Sequence, residues 1–173
     1  MIDPRGISDT VYAKNAWENR DMARKIIIRK VDKDTELAEL LLSYVENCSW
    51  TDVREHIAGM IRAWAFSDWE TMFAALADGK IVGMASVMKT DYYPLPEIYP
   101  WVSCVFVSED YRGQRVSEEL IDYANQYLKE KGFGWSYIPT SFSGLYEHYG
   151  YTYLKDIVNY GGGTDHLFVK KIG

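Results

Sequence analysis

The residues best suited to chemistry lie close together, in the run VFVSEDYRGQRVSEELI at positions 105–121. An apolar triplet, Val105-Phe106-Val107, runs into an acidic turn. Arg112-Gly113-Gln114-Arg115 follow, directly ahead of an amphipathic helix. A helix start presents backbone N–H groups that have no intrahelical acceptor, and it carries a partial positive charge. Both suit an anion. Gly113 lets backbone approach a ligand closely. Arg112 and Arg115 add charge-assisted donors that match phosphate. The peptide groups of the preceding strand offer pairing to a linear, amide-containing ligand. Standing alone, the same turn also reads as a solvated corner in which Gly113 serves geometry only, so its surroundings must decide.

Those surroundings alternate between two periods. Lys25–Val31 is a β-branched run that predicts a strand. From Asp34, Leu37, Leu40, Leu41, Tyr44 and Val45 recur at three and four, which predicts a helix with one apolar face. Ser49-Trp50-Thr51-Asp52 has the form of a capping box, ahead of a second helix carrying Val53, Ile57, Met60, Ile61 and Trp64. Thr71–Ala77 and Lys80–Met88 are apolar runs joined by Asp78-Gly79, a strong hairpin signal. Residues 91–100 hold Pro94, Pro96 and Pro100 and read as a loop. Trp101–Val107 reads as a strand buried on both faces. The helical period returns from Val116 and stops at Gly132, with Glu118 and Glu119 in the first turn and Lys129 and Lys131 near the end. Trp135–Pro139 predicts a strand, Phe142–His148 a short helix, and Tyr151–Tyr160 and Asp165–Lys171 a strand pair around Gly161-Gly162-Gly163. The resulting order, β-αα-ββ-β-α-β-α-β-β, is that of a mixed sheet with helices on its faces.

Composition narrows the classes. A chain of 173 residues is most simply one domain. Residues 1–24 are polar and read as an N-terminal extension, leaving 25–173 as the domain. The formal net charge of −6 argues against general nucleic-acid binding and mildly favours cationic small partners. The two cysteines, Cys48 and Cys104, have no framework or metal-ligand spacing, and the three histidines are scattered, so no metal site is expected. No apolar run reaches the ~18 residues of a membrane span. The first residues lack the apolar core of a secretory leader. A cytoplasmic protein is the expectation.

The run VFVSEDYRGQRVSEELI resembles motif A of the GNAT superfamily of N-acetyltransferases: apolar strand, acidic turn, then Arg-Gly-x-Gly-x-Gly/Ala opening a helix. Downstream, Leu145-Tyr146-Glu147-His148-Tyr149-Gly150-Tyr151 resembles the family's L-Y-E-K-x-G-F segment. The Asp78-Gly79 hairpin followed by Ile81-Val82-Gly83 resembles its middle strands. The likeness covers about residues 26–172. It implies a GNAT-like acyl-CoA N-acyltransferase fold of α/β class, with a central mixed sheet, splayed parallel strands and helices on both faces.

The resemblance also implies a cofactor, acetyl-CoA, held in a V-shaped cleft. Backbone groups of Val105, Phe106 and Val107 would pair with the pantetheine arm. The stretch Arg112, Gly113, Gln114, Arg115, Val116 and Ser117 would cradle the diphosphate. Two positions depart from the family pattern: its second Gly falls on Arg115 and its third small residue on Ser117. The Asn that family members often carry before the short helix is replaced by Pro139-Thr140-Ser141. The implied reaction is direct attack of a primary amine, on a small molecule or peptide, upon the thioester. Tyr146 matches the family's acid. No titratable carboxylate or imidazole stands in Trp101-Val102-Ser103-Cys104, where the family often places its base, which leaves Glu97 as one candidate and a water chain held by Ser103 as the other. Aromatic residues at 49–69 and 89–100, with the acids Asp52, Glu55, Asp68, Asp91 and Glu97, would line the amine's pocket or simply pack. Family members are frequently dimers, which allows a homodimer here. Two other readings compete: a non-catalytic acyl-CoA-binding module of this fold, and a nucleotide-binding α/β protein, against which the lack of GxxxxGK[ST] and of GxGxxG counts.

Overall fold

The computed structural model describes residues 25–173, so the expected N-terminal extension, 1–24, lies outside the described residues. Seven strands form one mixed sheet: β1 (Ile26–Lys30), β2 (Thr71–Ala77), β3 (Lys80–Met88), β4 (Trp101–Val107), β5 (Trp135–Thr140), β6 (Thr152–Val158) and β7 (Thr164–Lys171). Three helices accompany them: α1 (Glu36–Asn47), α2 (Arg54–Ala63) and α3 (Val116–Glu130). The strand order is β1-β2-β3-β4-β5-β7-β6, antiparallel throughout except where β4 meets β5.

Local chemistry explains most boundaries. Thr35 caps α1 by accepting from the Ala38 amide at 3.2 Å. Asp78 and Gly79 both take positive φ, 49° and 78°, the pair of dihedrals a two-residue hairpin turn requires. Gly132 at φ 91° ends α3. None of the three helices is long and apolar enough to cross a membrane.

The sheet separates two cores. Phe73, Ala75, Val87, Val102, Ile138 and Phe168 pack with Leu120, Ile121, Ala124 and Leu128 of α3 on one face. Met72, Ala74, Met84 and Phe106 pack with Leu41 and Val45 of α1 and Ile57 and Ile61 of α2 on the other. Helices therefore cover both faces, as expected.

Three local expectations fail for identifiable reasons. Ser49 does not cap α2; its hydroxyl bonds Glu109, sixty positions away, and α2 begins at Arg54 behind Val53 with no side-chain cap. Phe142–His148 is a chain of turns, not a helix. Gly144 sits at φ 91°, outside helical space, and its amide is taken by the Glu147 carboxylate at 2.9 Å. Leu40, placed by period on the apolar face of α1, is exposed.

Candidate functional site

The strand and helix of the 105–121 run create a gap. Strands β4 and β5 run parallel but pair only at Trp101 and Tyr137, where the Tyr137 amide bonds the Pro100 carbonyl at 3.0 Å. Beyond that point β4 has β3 on one side and no strand on the other. Its pairing with β3 also slips: Ser103 faces Ser86, but Phe106 faces Met84. The extra residue is absorbed at Cys104, which adopts φ 53°. A bulge of this kind bends a strand and raises its twist. The consequence is that backbone from Val105 to Val107 lies along an open edge.

At the end of that edge stands the start of α3. Its first helical hydrogen bond runs from the Glu119 amide to the Arg115 carbonyl at 3.1 Å, so the amides ahead of it have no acceptor within the helix. Arg112, Gly113, Gln114 and Arg115 are all exposed, and a Cβ on Gly113 (φ 72°) would meet nothing within 4 Å. The two arginines differ. Arg112 folds back on β4, donating to the Val107 carbonyl at 3.1 Å and to Glu109 at 3.0 Å, with its guanidinium 5.7 Å from the Phe106 ring centre. Arg115 occupies the N-cap in the left-handed region at φ 61°, paired through Nε and Nη2 to Glu118 at 2.6 and 2.8 Å. That backbone is costly for a side-chain-bearing residue and explains why the motif prefers Gly there. Ser117 bonds the Tyr149 hydroxyl at 2.9 Å, tying the helix start to the 144–150 turns.

Those turns present Tyr146. Its ring packs among Tyr149, Tyr151 and Phe168. Tyr149 and Tyr151 hydroxyls are bonded to Ser117 and to Asn125 and Ser136. The Tyr146 hydroxyl has no hydrogen-bond partner among the described residues, and its atom is not fully enclosed. Burial pushes its pKa up to about 12, with Tyr149 adding to the rise. It stays protonated at any physiological pH, as a proton donor must.

On the α2 face of the sheet, the loop from β3 to β4 brings Asp91 back over β4, where the Ser103 hydroxyl donates to its carboxylate. The Tyr92 amide donates to the same carboxylate at 2.5 Å. Burial raises the Asp91 pKa above the usual carboxylate range. The Ser103 and Tyr92 bonds and the nearby His56 pull it down, and the Asp165 charge pushes it up. Asp165 accepts from the Tyr93 hydroxyl at 2.9 Å and from Asn159 at 3.0 Å. The Tyr93 ring stacks on Trp101, whose fully buried Nε1 has no hydrogen-bond partner among the described residues. Glu97 is exposed on the same loop. Cys104 is inert: burial pushes its thiol up to about 12.

The structure thus puts Val105–Val107 on an open strand edge and Arg112–Ser117 at the helix start beyond it, and the Ser117–Tyr149 bond ties the turns that carry Tyr146 to that helix start. Asp91, one of the acids at 89–100, lies three residues past the end of β3, where a short tether holds it to the sheet, whereas Glu97 sits in mid-loop between Pro96 and Pro100. Among the described residues no three His, Cys, Asp or Glu side chains converge on a metal position.

Comparisons agree with this geometry. An aminoglycoside 6'-N-acetyltransferase complexed with coenzyme A superposes with TM-score 0.64 at 15% identity, over 85% of this chain and 97% of that one. The aminoglycoside 6'-N-acetyltransferase from Enterococcus faecium gives 0.65 at 16%, over 85% and 97%. An acetyltransferase from Bacillus cereus described as an IAA acetyltransferase gives 0.57 at 16%, over 85% and 99%. At such identities these show a shared fold. No curated protein matches in sequence. The family described as Acetyltransferase (GNAT) matches residues 29–151, which includes the β4 bulge, the α3 start and the Tyr146 turn, and the chain belongs to that family.

Proposed function

We propose that this chain is an N-acetyltransferase that moves the acetyl group of acetyl-CoA to a primary amine of a small molecule or peptide. The observation that carries the reading is the gap: two parallel strands that part after one residue pair, with an open helix start at its end. The residues present fit coenzyme A, since Gly113 leaves room for backbone approach and the β4 edge has unpaired peptide groups. Val105, Phe106 and Val107 would pair with the pantetheine amides. Arg112, Gly113, Gln114, Arg115, Val116 and Ser117 would hold the diphosphate.

When bound, acetyl-CoA supplies an activated acyl group as a thioester. The chain's part is to position it and to manage protons. Tyr146, protonated and with a free hydroxyl among the described residues, would protonate the departing sulfur. The acids near the β4 edge favour an amine that arrives as a cation. Both cysteines are free thiols, in keeping with a reducing, cytoplasmic setting.

The test is thiol release from acetyl-CoA with an aminoglycoside, a linear polyamine and a peptide with a free amino terminus, alongside thermal shift with CoA, ATP and NAD. Stabilisation by CoA with thiol release is expected. Stabilisation by CoA without release on any amine leaves a non-catalytic acyl-CoA-binding module. No response to CoA removes the reading.

A further inference from the structure

We propose that Asp91, aligned by Ser103, is the proton acceptor for the attacking amine. This rests on the acetyltransferase reading and assigns a residue that its sequence motifs do not contain.

Position is the first support. Ser103 is the last β4 residue before the bulge at Cys104 and lies two positions ahead of Val105, so its hydroxyl holds a carboxylate at the start of the open edge Val105–Val107. The second support is the absence of a cation. Glu118, Glu109 and Asp122 each have an Arg or Lys partner, and Asp156 has His166. Asp91 has none within ion-pair distance among the described residues. It is held only by a hydroxyl and an amide. A part-buried carboxylate without a counter-ion is expensive to keep charged, and an arriving ammonium would supply the missing charge. The third support is the wall around it. His56 comes from α2, Asp165 from β7, Tyr93 from the same loop and Cys104 from β4. Asp165 is itself held by Tyr93 and Asn159, so it acts as a fixed negative neighbour. Burial and Asp165 together lift the Asp91 carboxyl above its ordinary range, toward the pH at which a base is most useful.

The protons balance. An ammonium enters and gives one proton to Asp91. The neutral nitrogen bonds the thioester carbonyl carbon, the carbon–sulfur bond breaks with its electron pair going to sulfur, Tyr146 protonates the thiolate, and the second proton leaves the nitrogen and passes through water to restore the Tyr146 hydroxyl. The product is an amide and a free thiol. Asp91 returns its proton to water, so one proton is released per turnover.

The experiment measures kcat/KM against pH for wild type, Asp91→Asn, Asp91→Glu, Glu97→Gln and Asp165→Asn, with CoA affinity measured on each. Asp91→Asn is expected to lose about 10²-fold or more in kcat with CoA affinity unchanged, and to lose the acidic limb of the profile. Asp91→Glu should recover part of the rate. Asp165→Asn should move the acidic limb to lower pH, which a purely structural role would not do. Retention of the limb in Asp91→Asn, or its loss in Glu97→Gln instead, overturns the assignment while leaving the acetyltransferase reading intact. A wild-type protein that binds CoA but acetylates no amine sinks both.

Discussion

Two residues carry predictions on their own. Tyr146 is a phenol packed by its ring, with a hydroxyl that bonds nothing among the described residues. Tyr146→Phe therefore removes a proton donor and almost no stabilising contact. Its kcat should fall by about 10²-fold while unfolding free energy changes by less than about 0.5 kcal/mol; urea melts and steady-state kinetics on one preparation would check both. Arg115 is the opposite case, a side chain kept where its backbone is unfavourable. Replacement by Gly relieves roughly 1–2 kcal/mol of left-handed strain. It also loses about 0.4–1 kcal/mol through a freer unfolded chain and roughly 0.2–1 kcal/mol from the exposed pair with Glu118. These offset, so the Tm of Arg115→Gly should barely move. If the guanidinium turns from Glu118 to the diphosphate, CoA affinity should fall in low salt and its salt dependence flatten. An unchanged salt slope would leave Arg115 as a solvent-facing side chain only.

The element that matters most is β4 with α3 behind it, and Gly83 on β3 sets how closely they approach. A Cβ there would lie 3.0 Å from the Phe106 carbonyl, 3.2 Å from Leu120 Cδ1 and 3.4 Å from Val107 Cγ2. The carbonyl is backbone and cannot step aside. Gly83→Ala should thus push α3 off the sheet at the point where the open edge begins, costing about 1–3 kcal/mol and lowering Tm by about 2–4 °C for each. CoA binding should weaken in parallel, because the helix start and the strand edge no longer share one line. Elements were also where the sequence spoke most clearly. Asp78-Gly79 fixed a hairpin because only certain residues take two positive φ values. The strand-turn-helix run was legible as a helix start suited to an anion because its turn chemistry is local, whereas the cleft beside it came only through the family resemblance. The failures were long-range or conformational. Ser49 had the right spacing for a cap, but Glu109, distant in sequence, took its hydroxyl. The 142–148 segment had helix-like apolar spacing, and Gly144 broke it. The acid proposed as base was hidden for a similar reason: spacing cannot say that Asp91 folds back on Ser103 while Glu97 is exposed.

For the molecule as a whole, the proposed base implies a trade between stability and activity that pH exposes. Asp91 has its carboxyl raised on folding, chiefly by burial. Below the unfolded pKa the group is neutral in both states and folding carries no penalty. As pH climbs through the folded pKa, keeping the charge in the protein becomes a standing cost, and stability is lost. Asp91→Asn removes that cost: the amide oxygen can stand for Oδ1 and accept from the Tyr92 amide, while the NH2 stands for Oδ2 and donates to the Ser103 hydroxyl. The variant should melt higher than wild type at neutral pH, and the advantage should shrink toward zero on acidification to the ordinary carboxylate range. A site built for catalysis often trades stability in this way. A variant that is slower and more stable at pH 7, with the difference vanishing in acid, would tie the strained carboxylate to function. Equal Tm values across the range would mean that Asp91 is fully solvated in the native state, and the proposed cost of its charge would not exist.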